Sequence, residues 1–309
     1  MDKLRNITHH LTEKNHFSIY LSLFRVFLAF HIIKKVYLIW GSQSVLLSSN
    51  SLFFEHTDTI LDFFGIDSSI ILERPSIFLI TIVALALLTM LGIGRKVTLV
   101  LLFISIKILQ DLVYPILNGG DNLMILVMLY LLFTNCFEHF TIGGKSRRDT
   151  SKISRLVSNL AVYSICFHLG YVYFISAIHK IHADVWFNGT ALYYIMHLER
   201  FKSPLSELIN NNGFITTLAT YFTIMFELLF VFLVWNKRYR SLFLISGIFL
   251  HLGIYFFMMI YDFEIFFISL YGFFLPNSFW EKILEKIKIR VKGIERAFVN
   301  VPWSKIPEN

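Results

Sequence analysis

Charge is sparse in this sequence. Asp, Glu, Lys and Arg make up 16% of its 309 residues, where a soluble domain carries about 25%. Cysteine is nearly missing. Cys166 lies inside a hydrophobic segment and Cys136 near the end of another. With no CxxC and no Cys/His spacing, a disulfide framework and a zinc-binding fold both lack support. His179, His182 and Asp184 are three ligands in a wet loop, a poor zinc signal, so no metal is expected. Among six prolines only Pro115 falls deep enough in a hydrophobic segment to break a helix. No internal repeat is visible, so the paired broken helices of a transporter are not indicated. The opening residues, MDKLRNITHHLTEKNHF, have neither the apolar core nor the small-residue cleavage site of a secretory signal. The first hydrophobic segment is therefore expected to remain as a helix.

What is present is apolar. Hydrophobic residues are 56% of the chain and aromatic residues 17%, gathered in long blocks. That pattern predicts an all-α fold, a polytopic transmembrane helix bundle. About eight spans are expected, near residues 18–40, 75–93, 97–117, 122–137, 157–179, 214–235, 241–261 and 263–277. The basic residues sit in the short loops between them. These are Arg95 and Lys96, then Lys145, Arg147, Arg148, Lys152 and Arg155, then Lys237, Arg238 and Arg240. All fall on one side if both termini are cytoplasmic, which is the side such residues favour. The net charge of +7 is thereby explained by topology, and no nucleic-acid partner is expected. Residues 1–279 read as one transmembrane domain. Residues 280–309 read as a basic amphipathic cytoplasmic tail whose partner is anionic membrane lipid. The opposite face carries the acidic stretch 50–73, the NGGDN loop 118–122 and the connection 180–213.

Polar residues at membrane depth are costly unless paired or facing a cavity. Arg25, Lys107, Asp111, Glu227 and His251 are of this kind. Lys107 and Asp111 are four apart on one helix face and are expected to pair. Glu227 and His251 lie at similar depth on consecutive antiparallel helices and are expected to meet, either as helix glue or as a proton-handling pair. Arg25 reads as a bundle anchor or a ligand contact. Tyr173, Ser176 and Lys180 share one helix face, which Lys180 closes on the non-cytoplasmic side. Burial against apolar walls beside a second cation turns a lysine into a neutral base. His179 and His182 are the candidate cations, although neither shares that face. The bland alternative is a snorkelling lysine beside an aromatic belt of Trp186, Tyr193 and Tyr194. Asp121 and Asn122 end a glycine turn, as helix caps or as catalytic groups.

Three stretches carry a family resemblance: YFISAIHKIHADVWFNGTALYY (residues 173–194), ELLFVFLVWNKRYRSLFLISGIFLHLGIYFF (227–257) and NGGDNLMILVMLYLLF (118–133). Together they resemble the horizontally transferred transmembrane domain. That family includes the membrane part of vitamin K-dependent γ-glutamyl carboxylase and a bacterial membrane protein needed to mature the sporulation-delaying toxin. The resemblance covers residues 17–274. It implies a membrane enzyme in which Lys180 is the base that deprotonates a reduced quinone, vitamin K hydroquinone or menaquinol. The quinone anion then reacts with O2, and the strong base so formed takes a proton from an exported peptide or protein. CO2 is a further reactant only where the resulting carbanion is carboxylated. His251 falls where the family carries a helix histidine, and Glu227 is read beside it as a second catalytic group. Asp121 and Asn122 align with an Asn-His pair of the carboxylase, here without the histidine. They are expected at the substrate together with Tyr173, Asp184, Trp186 and Arg25. No counterpart of the carboxylase's large lumenal region is visible, so glutamate is not assumed to be the substrate. The toxin-maturing relatives resemble this chain more in size and in NGTALYY, which implies a bacterial cytoplasmic membrane with the active face outward. The alternative is a non-catalytic membrane partner of an exported peptide, using residues 181–213.

Overall fold

An apolar run in lipid must satisfy its backbone hydrogen bonds within itself or within a closed barrel. The computed structural model, which describes residues 2–48, 60–142 and 151–299, takes the helical solution and has no strand among those residues. In chain order the helices are α1 (Asp2–Glu13), α2 (Ser18–Trp40), α3 (Gln43–Leu46), α4 (Ile60–Phe63), α5 (Ser69–Glu73), α6 (Pro75–Leu91), α7 (Lys96–Leu112) and α8 (Gly119–Leu131). After residues 143–150 come α9 (Lys152–Ile181), α10 (Asp184–Phe187), α11 (Ala191–His197) and α12 (Ser206–Asn210). The chain closes with α13 (Gly213–Leu233), α14 (Lys237–Met258), α15 (Tyr261–Leu270) and α16 (Asn277–Val299).

Three of these helices, α9, α13 and α14, are long and apolar enough to cross a membrane, as in a helical membrane protein. The pair α1–α2, bent by 59°, is a fourth if counted as one span. The other expected spans are helical but short. α6 and α7 have 17 residues, α8 has 13 and α15 has 10, against roughly 20 for a perpendicular crossing. Local chemistry sets their ends. Gly92 terminates α6 in a left-handed conformation (φ 76°). A 3-10 turn around Pro115 follows α7. The fourth segment begins at 119, not 122, because Asn118 is the N-cap: its side chain accepts from the Gly120 and Asp121 amides while Asp121 accepts from the Asn118 amide. Met259 (φ 56°) ends α14 and turns the chain into α15. Lys145, Arg147 and Arg148, much of the 50–73 stretch and residues 300–309 lie outside the described residues.

α2 packs along α6, and α9 along α13; α8 and α15 join the two groups. Gly247 is what admits α14 at close range, since a Cβ there would stand 2.3 Å from the Tyr271 hydroxyl. The core is a run of aromatic rings, with Tyr173 edge-on to Phe230 and Phe230 stacked on Tyr271.

Arg25 is wholly buried. Its Nε donates to the Cys136 carbonyl (3.0 Å), Nη1 to Thr89 (2.5 Å) and Met90 (3.0 Å), and Nη2 to His139 (3.1 Å) and Phe140 (2.7 Å). A guanidinium has five N–H donors, and all five end on main-chain carbonyls. Thr89 and Met90 belong to the last turn of α6, whose carbonyls have no partner within the helix. Arg25 thus ties the α6 terminus to the loop after α8. The substrate contact expected of it is not what its donors make.

Candidate functional site

Lys180, at the C-terminal end of α9, meets Glu227, which lies about two-thirds of the way along α13. The earlier turns of α13 run on past Lys180 by about 20 Å at 1.5 Å per residue; α11 and α12 pack beside them, and α10 packs on α9. Residues 181–213 therefore form a helical cap over the lysine. The Asn-Gly turn seats this cap. Gly189 has φ 73°, and a Cβ on it would come within 2.8 Å of Thr217 and 2.9 Å of Tyr221. Tyr221 also donates its hydroxyl to the Phe187 carbonyl (2.8 Å). These contacts hold the Trp186 ring 5.0 Å from the Lys180 ammonium, a cation–π distance.

Beneath the cap is a partly open cavity of about 430 Å³, walled by α9, α11, α13, α14 and α15. Most of its lining is apolar, including Phe222, Phe249, Phe257, Phe263 and Phe267. Lys180, Glu227, Tyr173, His251 and Glu264 supply its titratable groups. Lys180 Nζ donates to Glu227 Oε1 (2.6 Å), Glu227 Oε2 (2.7 Å) and Ser176 Oγ (2.7 Å). Those three acceptors match the three N–H donors of an ammonium. His251 pairs through Nδ1 with Glu264 and through Nε2 with the Tyr173 hydroxyl. Tyr173 in turn bonds the Tyr271 hydroxyl (2.7 Å). With Glu264 ionised, one set of directions satisfies the whole chain: Tyr271 donates to Tyr173, Tyr173 to His251, and His251 to Glu264. The second Glu264 oxygen, Oε1, is buried without a hydrogen-bond partner among the described residues.

The expected Glu227–His251 pair is therefore replaced by two others. Both residues line one cavity, but Glu227 turns to α9 and His251 to α15. Depth along a helix was readable from residue counts; rotation about its axis, which selects the partner, was not. Glu264 and Tyr271 were missed. The available signal was a carboxylate in the first turn of a short apolar helix, 13 residues after His251.

Other sequence candidates lie elsewhere. Asp121 is buried in an ion pair with Lys35 and in the α8 cap, and Asn122 is exposed. Neither lines the cavity. Their loop packs behind it, with Gly120 against Phe263. Asp184 is exposed at the start of α10 and also stands outside the lining. Tyr173 and Trp186 are inside it. Lys107 and Asp111 pair locally, and Asp111 accepts the Ile60 amide as well (3.1 Å). His182 bonds the Ile178 carbonyl (2.7 Å) and His179 is exposed, while the charged partner of Lys180 is a carboxylate, Glu227. Among the described residues no group of three or more His, Cys, Asp or Glu is arranged to hold a metal.

No family model, curated protein or solved structure matches the chain.

Proposed function

We propose that this protein is an integral membrane enzyme that binds a reduced isoprenoid quinone in the capped cavity and removes a proton from it through the Lys180–Glu227 pair. One observation carries the reading. A mostly apolar cavity of about 430 Å³ closes on a lysine–carboxylate pair, and Glu264 in its wall has a buried oxygen, Oε1, that lacks a donor among the described residues. A quinol has the matching chemistry: an apolar ring and tail, and hydroxyl donors.

Lys180 in this arrangement is an ammonium with every donor engaged. It becomes the base by handing a proton to Glu227 along the 2.6 Å hydrogen bond. In an apolar cavity two neutral groups cost less than two poorly solvated charges, which makes the neutral pair accessible. The amine then accepts the quinol proton, and the resulting cation remains beside the anion it has created. Trp186 holds the ammonium over its ring face, and Glu264 Oε1 accepts the second hydroxyl. The bound quinol and O2 would supply the strong base that the family resemblance implies; CO2 is needed only if the product is a carboxylate.

The sidedness belongs to the same proposal. Lys96, Lys152, Lys237 and Arg240 stand at one end of the helices, and the cap stands at the other. Basic loops favour the cytoplasm, so the cavity faces outward, across eight segments with both termini inside, in a bacterial cytoplasmic membrane. An exported peptide or protein is the proton donor to the chemistry.

Blocking the cavity tests the binding step. Gly253 lines it, and a Cβ there meets nothing within 4 Å. Gly253→Leu projects into the space without a clash at its first carbon and gains helix propensity. A short-chain quinol should quench tryptophan fluorescence in the wild type and lose about tenfold or more in affinity in Gly253→Leu. Equal affinity in both would remove the cavity as the binding site.

A second reading rests on the outer surface of the cap. Phe187, Tyr194, Leu198 and Leu208 are each more than half exposed. That surface suits a non-catalytic partner of an exported peptide, and such a protein would bind peptide without consuming O2.

A further inference from the structure

The molecule has a second large cavity at the opposite, basic end of the bundle. It measures about 490 Å³ and lies where α1, the α13–α14 turn and the start of α16 converge on α9. A specific ligand site commonly has a volume of roughly 300–1,000 Å³. Its rim carries His10, Lys14, His16, Lys237 and Arg240, opposed by one carboxylate, Glu281. Lys14, Lys237 and Arg240 carry its fixed positive charge, and Arg240 and His16 are braced by contacts of their own. Arg240 donates from Nε to the Val234 carbonyl (3.2 Å) and from Nη2 to Trp235 (3.3 Å). The His16 ring is 4.1 Å from that of His10 and bonds its carbonyl (2.9 Å). The floor is aromatic: Tyr163 and Trp235 approach to 6.4 Å.

We propose that this cavity binds the phosphate of an anionic amphiphile, a glycerophospholipid headgroup. The cationic rim takes the phosphate and the aromatic floor takes the adjoining apolar body. Location favours lipid over a soluble phosphate ester. α1 meets α2 at 59°, as a helix lying along the interface does, and the cavity sits on the face assigned to the cytoplasm, where anionic lipids and basic side chains meet. Arg240 provides a forked contact to phosphate, and Lys14 and Lys237 provide point charges.

The test uses the full-length protein in neutral detergent. Binding of dioleoylphosphatidylglycerol, dioleoylphosphatidylcholine and inorganic phosphate is followed by thermal shift and native mass spectrometry. Lys14 and Lys237 are exposed, so Lys14→Gln/Lys237→Gln should fold normally. Arg240→Gln is the deeper companion variant. Phosphatidylglycerol should bind in preference to phosphatidylcholine, and the double variant should weaken it about twenty-five-fold, near fivefold per lysine. Binding of inorganic phosphate, weakened by the same variant, would keep the cavity as a phosphate site with a soluble source. Equal binding of both lipids, or affinity unchanged in the double variant, would overturn the proposal.

Discussion

Glu264 lines the cavity, gives one carboxylate oxygen to His251, and keeps the other buried with no partner among the described residues. Glu264→Gln keeps an acceptor for His251 but offers the cavity a donor instead. Quinol binding, titrated by fluorescence, should weaken by about tenfold, in line with one hydrogen bond lost and one group left unsatisfied. Arg25 belongs to the residues that hold the bundle. Removing it takes a donor from five carbonyls, of which Thr89 keeps another partner, the Gly92 amide, so Arg25→Ala should cost more than about 3 kcal/mol, read as a lower thermal transition in detergent. Arg25→Lys should restore little, because three donors on a flexible stem cannot replace a five-donor fork. In the sequence Arg25 was legible as a charge in apolar surroundings, whereas Glu264, in the first turn of a short helix, was not singled out. The partners of Arg25 were not legible, because Cys136 and His139 lie more than a hundred positions from Arg25 and no spacing rule links them.

At the scale of elements, the apolar segments were readable and their lengths were not. Gly92, Pro115, Asn118 and Met259 cut or shift four of them by local backbone chemistry that hydropathy does not register. The face of α9 shared by Tyr173, Ser176 and Lys180 could be read from its helical period, and all three residues line the cavity. The cap could not, because α10, α11 and α12 are each seven residues or shorter, too brief for a periodic signal. Its seating can be tested at Gly189. Gly189→Ala forces a Cβ into α13 at a left-handed position. The cap should loosen, with faster proteolysis between residues 181 and 213, while α9 and α13 stay protected. Cleavage at the wild-type rate would show that the turn does not hold the cap.

Across the whole molecule, the two cavities lie at opposite ends, one beside a lysine–carboxylate pair and one under a cationic rim. Sidedness then decides what each can meet. Cys136 and Cys166 are buried, so introduced cysteines at exposed positions are clean reporters. In intact cells Asn211→Cys should react with an impermeant maleimide and Lys286→Cys should not, until the membrane is opened. Labelling of both from outside would contradict the proposed orientation.

The central claim is that Lys180, covered by its cap and paired with Glu227, is the base for a reduced quinone. The most direct measurement is oxygen uptake by the purified protein with menaquinol or vitamin K hydroquinone, in the wild type, Lys180→Ala and Glu227→Gln. General-base catalysis contributes about 10²–10⁴-fold, so quinol-dependent uptake should fall at least a hundredfold in Lys180→Ala while the thermal transition shows a folded protein. Uptake that persists in Lys180→Ala, or is missing from folded wild type with either quinol, would contradict the account.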